Sequence, residues 1–232
     1  MTKTINLGVL GIDHGHIFDM LDEMLKEGCS CNYFWTEGSP LTLDEFSKKY
    51  PQIKRVDNKS DILNDDTIDM ILISSIPKDR ANLSIDAMKA GKDVMVDKPG
   101  CTTIEQLNNL KQTVKDTGKI WSVNFSERFH VAAVAKAEEL VAEGKIGKVK
   151  QTIGTGPHRQ GNYERPDWFY DRDSYGGIIT DIGSHQIHQF LVFTNSNEAK
   201  VNHALVENTT KKEFDGFQDF GEVNLTGNGG HG

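Results

Sequence analysis

Residues 4–27 read TINLGVLGIDHGHIFDMLDEMLKE, and this stretch decides the fold of the first half of the chain. Apolar residues dominate positions 5–10, which predicts a buried strand. Residues 11–15, Gly-Ile-Asp-His-Gly, interrupt that run with turn chemistry. Apolar residues then recur at intervals of three and four from Ile17 to Leu25, the pattern of an amphipathic helix, and Gly28 follows as a stop. The predicted order is therefore strand, glycine turn, helix.

This order is typical of the start of a dinucleotide-binding site. Glycine lets the backbone approach a pyrophosphate, and the helix N-terminus directs N–H groups toward it. The full fingerprint places glycine at positions 11, 13 and 16, whereas this chain has Gly11, Asp13 and His16. An ordinary β–turn–α corner without a ligand fits the same pattern. On the dinucleotide interpretation, the cofactor-binding residues of the turn are Gly11, Ile12, Asp13, His14, Gly15 and His16.

Composition and charge exclude several classes of protein. The 232 residues include 26 Lys+Arg and 34 Asp+Glu, a net charge of −8, which argues against nucleic acid or a membrane surface as partner. No apolar run has the length of a membrane span. Residues 1–4 lead directly into the first strand, so we expect no signal peptide and a cytoplasmic protein. The three cysteines do not suggest a disulfide framework, and we expect them to be free thiols.

Strands and helices alternate as far as residue 124. The strands are apolar on both sides, which predicts a parallel sheet covered on both faces. Ligands of such sheets bind at the carboxyl ends of the strands. The polar or glycine residues that follow predicted strands, and are therefore further candidates for binding, are Thr36, Glu37, Ser74, Ser75, Lys98 and Pro99.

The pattern changes in the second half. We predict a helix over 131–143, a strand over 148–153, a helix over 178–194, and strands over 200–208 and 218–226. Residues 154–175 show no periodicity but contain several aromatic residues, which favours an ordered functional loop.

Two groups of residues have the chemistry of a catalytic site. Lys98 follows a strand and precedes proline, so it could orient a substrate hydroxyl or be an ordinary surface lysine. Asp181, His185 and His188 are spaced to share one face of a helix. That arrangement allows acid–base catalysis, a structural polar face, or metal binding.

Five segments together resemble the glucose–fructose oxidoreductase and inositol dehydrogenase family, the Gfo/Idh/MocA type. The segments are residues 8–11, 96–99, 124–129, 143–149 and 176–185. The resemblance implies an α/β protein with a Rossmann domain over 1–124 that binds NAD or NADP. It also implies an α+β domain over 125–232, built on an open, mostly antiparallel sheet that serves substrate binding and oligomerisation.

The resemblance further implies hydride transfer between nicotinamide and a sugar, inositol or related polyhydroxy compound. The catalytic residues would be Lys98, Asp181 and His185, with no metal. Arg128, Trp168 and His188 are the predicted contacts to the substrate. Three positions depart from the family pattern: Asp97 replaces a common Glu, His188 a common Asp, and Asp13 a fingerprint glycine.

The choice between NAD and NADP depends on the end of the second strand. An acidic residue there binds the ribose diol of NAD, whereas an arginine accommodates the 2′-phosphate of NADP. Glu37 stands one place beyond the expected position, and no arginine follows it directly in the sequence. These residues favour NAD.

Two other functions fit the same residues. One is a non-catalytic, dinucleotide-binding regulatory protein, and the other is a metal-dependent enzyme that uses Asp181, His185 and His188. Because few strands are predicted after residue 124, we also expect a shortened C-terminal domain. Its sheet would expose apolar residues and associate into a homo-oligomer through them; these residues are Val201, Leu205, Val223 and Leu225.

Overall fold

The structure is a computed structural model that describes residues 4–158 and 165–232. Its contacts divide the chain into two compact units, residues 1–124 and residues 125–232. Each unit has its own secondary structure and is described separately.

The first unit contains a six-stranded sheet. Its strands are β1 (Asn6–Leu10), β2 (Ser30–Trp35), β3 (Lys54–Arg55), β4 (Met70–Ile73), β5 (Asp93–Asp97) and β6 (Trp121–Asn124). Across the sheet they lie in the order β3-β2-β1-β4-β5-β6. All neighbouring strands run parallel, which confirms the predicted α/β fold.

Helices cover both faces of this sheet. Alternate strand residues point to opposite faces, so Val9 and Leu72 enter one hydrophobic core while Leu10 and Ile73 enter the other. This explains why the strands are apolar on both sides. The helices are α1 (His16–Lys26), α2 (Leu43–Lys49), α3 (Lys59–Leu63), α4 (Pro77–Lys89) and α5 (Ile104–Thr117).

The strand order reverses direction between β1 and β4. Such a reversal opens a crevice at the carboxyl ends of the two strands, where open α/β sheets bind their ligands. Gly11 follows β1 and Ser74 follows β4. The backbone N–H of Ser74 donates to the carbonyl of Gly11 at 3.2 Å, so these two turns meet at this point.

The second unit is mainly helical, with a two-stranded antiparallel sheet. The strands predicted over 200–208 and 218–226 are confirmed as the two strands of this sheet. Its regular elements are α6 (Ser126–Phe129), α7 (Ala132–Ala142), a 3-10 turn (Asp167–Tyr170), α8 (Arg172–Tyr175), a π-helical turn (Ile179–Gly183), α9 (Ser184–Phe193), β7 (Ala199–Glu207) and β8 (Phe220–Gly227).

Two predictions for this unit were wrong in detail. Residues 148–153 do not form a strand: Gln151 alone makes an isolated bridge, to His231, because no continuous strand lies alongside to extend the pairing. The helix predicted over 178–194 begins with the π-helical turn before α9, which changes the spacing of its side chains.

No helix among the described residues is long and apolar enough to cross a membrane.

Candidate active site

The turn after β1 is held tightly against the end of β4. Gly11 has φ +79°, and a Cβ on it would lie 2.4 Å from the Cβ of Ser75, so both the conformation and the space require glycine. The backbone N–H of His14 donates to the carbonyl of Ser74 at 3.0 Å, and the Ser74 hydroxyl donates to the carbonyl of His14 at 3.1 Å. The hydroxyl of Thr42 donates to the carbonyl of Ile12. The turn is therefore fixed from both sides.

Two histidines of this turn converge on one buried carboxylate. The Nδ1 atoms of His14 and His16 lie 3.1 Å and 2.8 Å from the carboxylate oxygens of Asp97, at the end of β5. The histidine side chains are 29% and 31% exposed, whereas that of Asp97 is 0% exposed. Burial lowers the pKa of His14 despite the neighbouring Asp97. These three residues form the His14/His16/Asp97 cluster.

Arg80, on α4, joins three segments at this edge of the sheet. Its side chain is 1% exposed, and its Nη2 lies 3.0 Å from Asp97 Oδ2. Nε donates to the carbonyl of Ser75 at 2.8 Å, and Nη1 donates to the carbonyls of Asp97, Lys98 and Pro99. Burial alone would raise the pKa of Asp97, but Arg80 and the two imidazoles hold it well below its usual value.

Lys98 lies at the same edge and is buried, with 4% of its surface exposed. It follows β5 directly, and the peptide bond between Lys98 and Pro99 is cis. Lys98 is therefore a buried residue, which removes the alternative of an ordinary surface lysine. Its carbonyl is one of the oxygens to which Arg80 donates.

Asp13 stands where the fingerprint has its second glycine. Burial raises the pKa of Asp13 to about 6, although its own backbone N–H and the charge of Arg80 act in the opposite direction. The position of the third glycine is taken by His16, the first residue of α1. Gly15, just before it, is exposed, and a Cβ there would meet nothing within 4 Å. The turn thus keeps open space at the N-terminus of α1.

The loop after β2 is contacted by Arg55, a residue of β3 that the sequence analysis missed. Thr36 is buried and Glu37 is exposed. The guanidinium of Arg55 donates to the carbonyls of Thr36 and Gly38, at 3.0 Å and 2.7 Å. Arg55 reaches this loop because β3 pairs with β2. An arginine is therefore present beside Glu37, although none follows it directly in the sequence.

In the second unit, His185 lies on α9 and is buried, with 3% exposed. Its Nε2 is 4.0 Å from Oε1 of Glu127 on α6. Asp181 lies in the π-helical turn, and burial together with the charge of Asp181 raises the pKa of Tyr175 to about 12. Among the residues that the structure describes, Asp181, His185 and His188 do not form a group of converging metal ligands. The geometry thus gives no support to the metal interpretation of this triplet.

Two of the three predicted substrate contacts, Arg128 and His188, lie next to each other in the structure. The guanidinium of Arg128 forms a bidentate pair with Glu138, at 2.6 Å and 2.9 Å, and its Nη1 is 3.4 Å from His188 Nε2. Burial and Arg128 lower the pKa of His188, and the ring of Phe125 lies 4.3 Å from that of His188. Glu138 is a neighbour that the sequence analysis did not single out.

Trp168 lies in an aromatic cluster instead. Its ring is 6.2 Å from that of Phe169, which also contacts Tyr170, Tyr175 and Phe217. No ring contact or hydrogen bond joins Trp168 to Arg128 or His188 in the described part of the chain.

Comparison with known proteins gives two matches to one family. Residues 41–125 match an oxidoreductase family with an NAD-binding Rossmann fold, and residues 134–231 match the GFO/IDH/MocA C-terminal domain. Among solved structures, a protein described as an oxidoreductase from Erwinia carotovora atroseptica SCRI1043 is 38% identical, with a TM-score of 0.95. The match covers 99% of this chain and 68% of that protein.

Curated relatives are more distant. The scyllo-inositol 2-dehydrogenase (NADP(+)) IolW of Bacillus subtilis is 23% identical, over 95% of this chain and 61% of its own length. The levoglucosan dehydrogenase of Pseudarthrobacter phenanthrenivorans is 27% identical, over 65% of this chain and 39% of its own length. The chain thus spans less than two thirds of the length of each of these relatives. With both halves matched and the fold shared, the chain belongs to the Gfo/Idh/MocA oxidoreductase family.

Proposed function

We propose that this chain is an NAD(P)-dependent oxidoreductase that transfers a hydride between nicotinamide and a CH–OH group of a sugar, inositol or related polyhydroxy compound. The observation that carries the proposal is the edge of the first sheet. There the Gly11 turn lies at the point where strand order reverses, and buried Lys98 follows β5 at the same edge. Family membership and the names of the relatives support the same chemistry.

The residues of this edge fit a dinucleotide. The N-terminus of α1 offers a partial positive charge to a pyrophosphate, and the space at Gly15 leaves room for it. Under this proposal Gly11 to His16, Ser74 and Ser75 would hold the cofactor, and the bound nicotinamide would accept or donate the hydride. Residues 1–124 would form the cofactor domain, and residues 125–232 the domain for substrate binding and oligomerisation.

The protein residues would position the substrate and move its proton. A lysine ammonium stabilises a hydroxyl oxygen that is losing its proton, which is the role proposed for Lys98. His185 is proposed to exchange the hydroxyl proton, since an imidazole titrates near neutral pH. Its neighbour Glu127, 4.0 Å away, would help to hold the imidazole in place. Asp181 is proposed as a positioning residue.

The substrate contacts are proposed on one charged cluster. Arg128 and His188 provide hydrogen-bond donors or acceptors suited to the hydroxyl groups of a polyhydroxy compound. Glu138 holds the Arg128 guanidinium in a bidentate pair, which fixes the direction of its remaining donors. Trp168 remains a proposed substrate contact, supported here only by its half-buried position.

Cofactor choice is more balanced than the sequence alone indicates. Glu37 favours the ribose diol of NAD, but Arg55 places a guanidinium beside the same loop, where it would attract a 2′-phosphate. The name of the IolW relative specifies NADP(+). We therefore propose that both cofactors bind, with Arg55 setting the affinity for the phosphorylated one.

We propose that the chain forms a homo-oligomer through its C-terminal sheet. All nine residues of β7 are exposed, including the apolar Val201, Leu205 and Val206. Leu225, expected on the open face, is instead buried, and Val223 is half-buried. Exposed apolar surface of this kind is typical of an interface. Sedimentation of a monomer at high protein concentration would contradict this proposal.

A cytoplasmic location is also part of the proposal, supported by three free cysteines.

The experiment that tests the main proposal follows nicotinamide absorbance across a panel of sugars, inositols and anhydrosugars, with NAD and NADP in parallel. We expect turnover with at least one substrate, and a loss of about 10²-fold or more in His185→Ala and Lys98→Ala. Cofactor binding by both variants, measured by nicotinamide fluorescence, is the control. Binding without turnover across the panel would favour the regulatory alternative. Failure to bind either cofactor at millimolar concentration would refute the dehydrogenase proposal.

A further inference from the structure

The His14/His16/Asp97 cluster has side chains that the proposed hydride transfer does not require, although His14 and His16 also lie in the turn proposed to hold the cofactor. Two imidazoles and one carboxylate come together from β5 and the turn after β1, and their possible ligand atoms all lie within 4.8 Å of one another. We propose that this cluster is a binding site for one divalent transition-metal ion of the zinc type. The proposal goes beyond the proposed function and is tested independently of it.

The distances suit a shared ion. Ligand atoms that are each about 2.1 Å from a metal lie about 3.0 Å apart in octahedral geometry and about 3.4 Å apart in tetrahedral geometry. The Nδ1 atoms of His14 and His16 lie 3.1 Å and 2.8 Å from the oxygens of Asp97. Both nitrogen–oxygen distances are close to these separations, and all the ligand atoms lie within 4.8 Å of one another.

The carboxylate has an oxygen that supports the same conclusion. Asp97 Oδ2 is fully buried and lies 3.0 Å from Nη2 of Arg80, its ion-pair partner. The imidazole of His14 already lies against this oxygen, with Nδ1 at 3.1 Å. When that nitrogen is deprotonated, the same nitrogen and oxygen can bind one cation between them.

The donor set selects the type of metal. Imidazole nitrogen suits Zn²⁺, Co²⁺ and similar ions, whereas Mg²⁺ and Ca²⁺ prefer oxygen ligands alone. Three protein ligands leave at least one position open for water or another oxygen ligand. The partial exposure of both histidines is consistent with such an open position.

Arg80 would both orient and weaken the site. The guanidinium forms an ion pair with Asp97 and thereby fixes the direction of the carboxylate, as the outer partners of metal ligands commonly do. Its positive charge also repels a cation. We therefore expect an exchangeable ion rather than a structural one. The two hydrophobic cores of the first unit would hold the fold when a chelator removes the metal.

The test uses the full chain without a histidine tag, stripped with a chelator and titrated with Co²⁺. We expect one equivalent to bind with a visible d–d absorption band, and Zn²⁺ to displace it. His16→Ala and Asp97→Asn should each weaken Co²⁺ binding by about 10-fold or more. His203→Gln, a change at an exposed histidine of β7, should bind Co²⁺ like the unchanged chain.

Circular dichroism checks that each variant is folded, and His14→Gln replaces Asp97→Asn if the latter unfolds. The alternative is a purely hydrogen-bonded His–Asp–His arrangement, which binds no metal. Absence of the visible band in the unchanged chain would therefore overturn the proposal. So would Co²⁺ binding that is equally strong in folded His16→Ala. Neither result depends on cofactor binding or turnover, so failure of this site leaves the oxidoreductase proposal to its own test.

Discussion

The substitution Arg80→Met tests how much the edge of the first sheet depends on one buried charge pair. Methionine keeps much of the length of the arginine side chain but removes its charge and all its donors. Asp97, with none of its side-chain surface exposed, would then be a buried carboxylate without its cationic partner. The carbonyls of Ser75 and Lys98 would also lose the side-chain donor that reaches them from α4.

Removing one partner of a buried ion pair typically costs about 3–5 kcal/mol, because the remaining charge stays desolvated. We expect a loss in this range in the free energy of unfolding of the first unit. Asp97→Asn alone should also lower the free energy of unfolding, because the buried guanidinium of Arg80 then lacks its anionic partner. The double variant should lose less than the sum of the two single losses, by about 2 kcal/mol or more, because neither charge is then left uncompensated.

The assay is urea unfolding of the full chain followed by circular dichroism, with the transition of the first unit fitted separately if two are seen. Lys59→Met is the matched control. Lys59 forms a 2.7 Å ion pair with Asp86, but both side chains are about 40% exposed. Loss of this exposed ion pair should lower the free energy of unfolding by less than about 1 kcal/mol. If Arg80→Met costs no more than this control, or if the two single losses simply add, the buried pair does not have the role assigned to it.

Three further predictions concern other parts of the structure. Gly11→Ala should abolish the nicotinamide fluorescence change on titration with either cofactor, because a Cβ would clash with Ser75 in a left-handed backbone conformation. An unchanged fluorescence response in folded Gly11→Ala would contradict this. Arg55→Ala should lower the affinity for NADPH by about 10-fold more than it lowers the affinity for NADH. An equal loss of affinity for both cofactors would show that Arg55 does not determine cofactor choice. His188 has a lowered pKa in the folded chain, so below pH about 6.5 the unfolded chain takes up its proton first and stability falls with falling pH. Thermal unfolding from pH about 8 to about 5 should show a smaller fall in His188→Gln, and identical profiles would contradict the assignment.

Local periodicity was sufficient to predict the strand, turn and helix of residues 4–27 and the parallel sheet that follows. These features depend on neighbouring residues, so a single sequence contains them. The position of Lys98 at the end of β5 was predictable for the same reason, because a parallel sheet places every carboxyl end at one edge. The burial of Lys98 was not predictable, since it depends on packing by other segments.

The contacts that were missed join residues that are far apart in the chain. His16 and Asp97 are 81 positions apart, and Arg80 reaches the end of β5 from α4. Arg55 reaches the loop after β2 only through the pairing of β2 with β3. The π-helical turn at Ile179–Gly183 adds residues to a turn, so a regular helical spacing gave Asp181 the wrong relation to His188. Each case is a contact or a backbone irregularity that no local pattern specifies.

The packing of Arg80 against Asp97 has a consequence for how this chain can change over generations. A longer carboxylate at position 97 would push into the guanidinium, and a shorter or neutral residue at position 80 would leave the carboxylate alone. We expect neither change to be tolerated well by itself, and the two histidines at positions 14 and 16 share the same carboxylate. We therefore expect the residues at these four positions to covary among relatives. Among relatives, arginine at position 80 should accompany aspartate at position 97, and the two should be lost together.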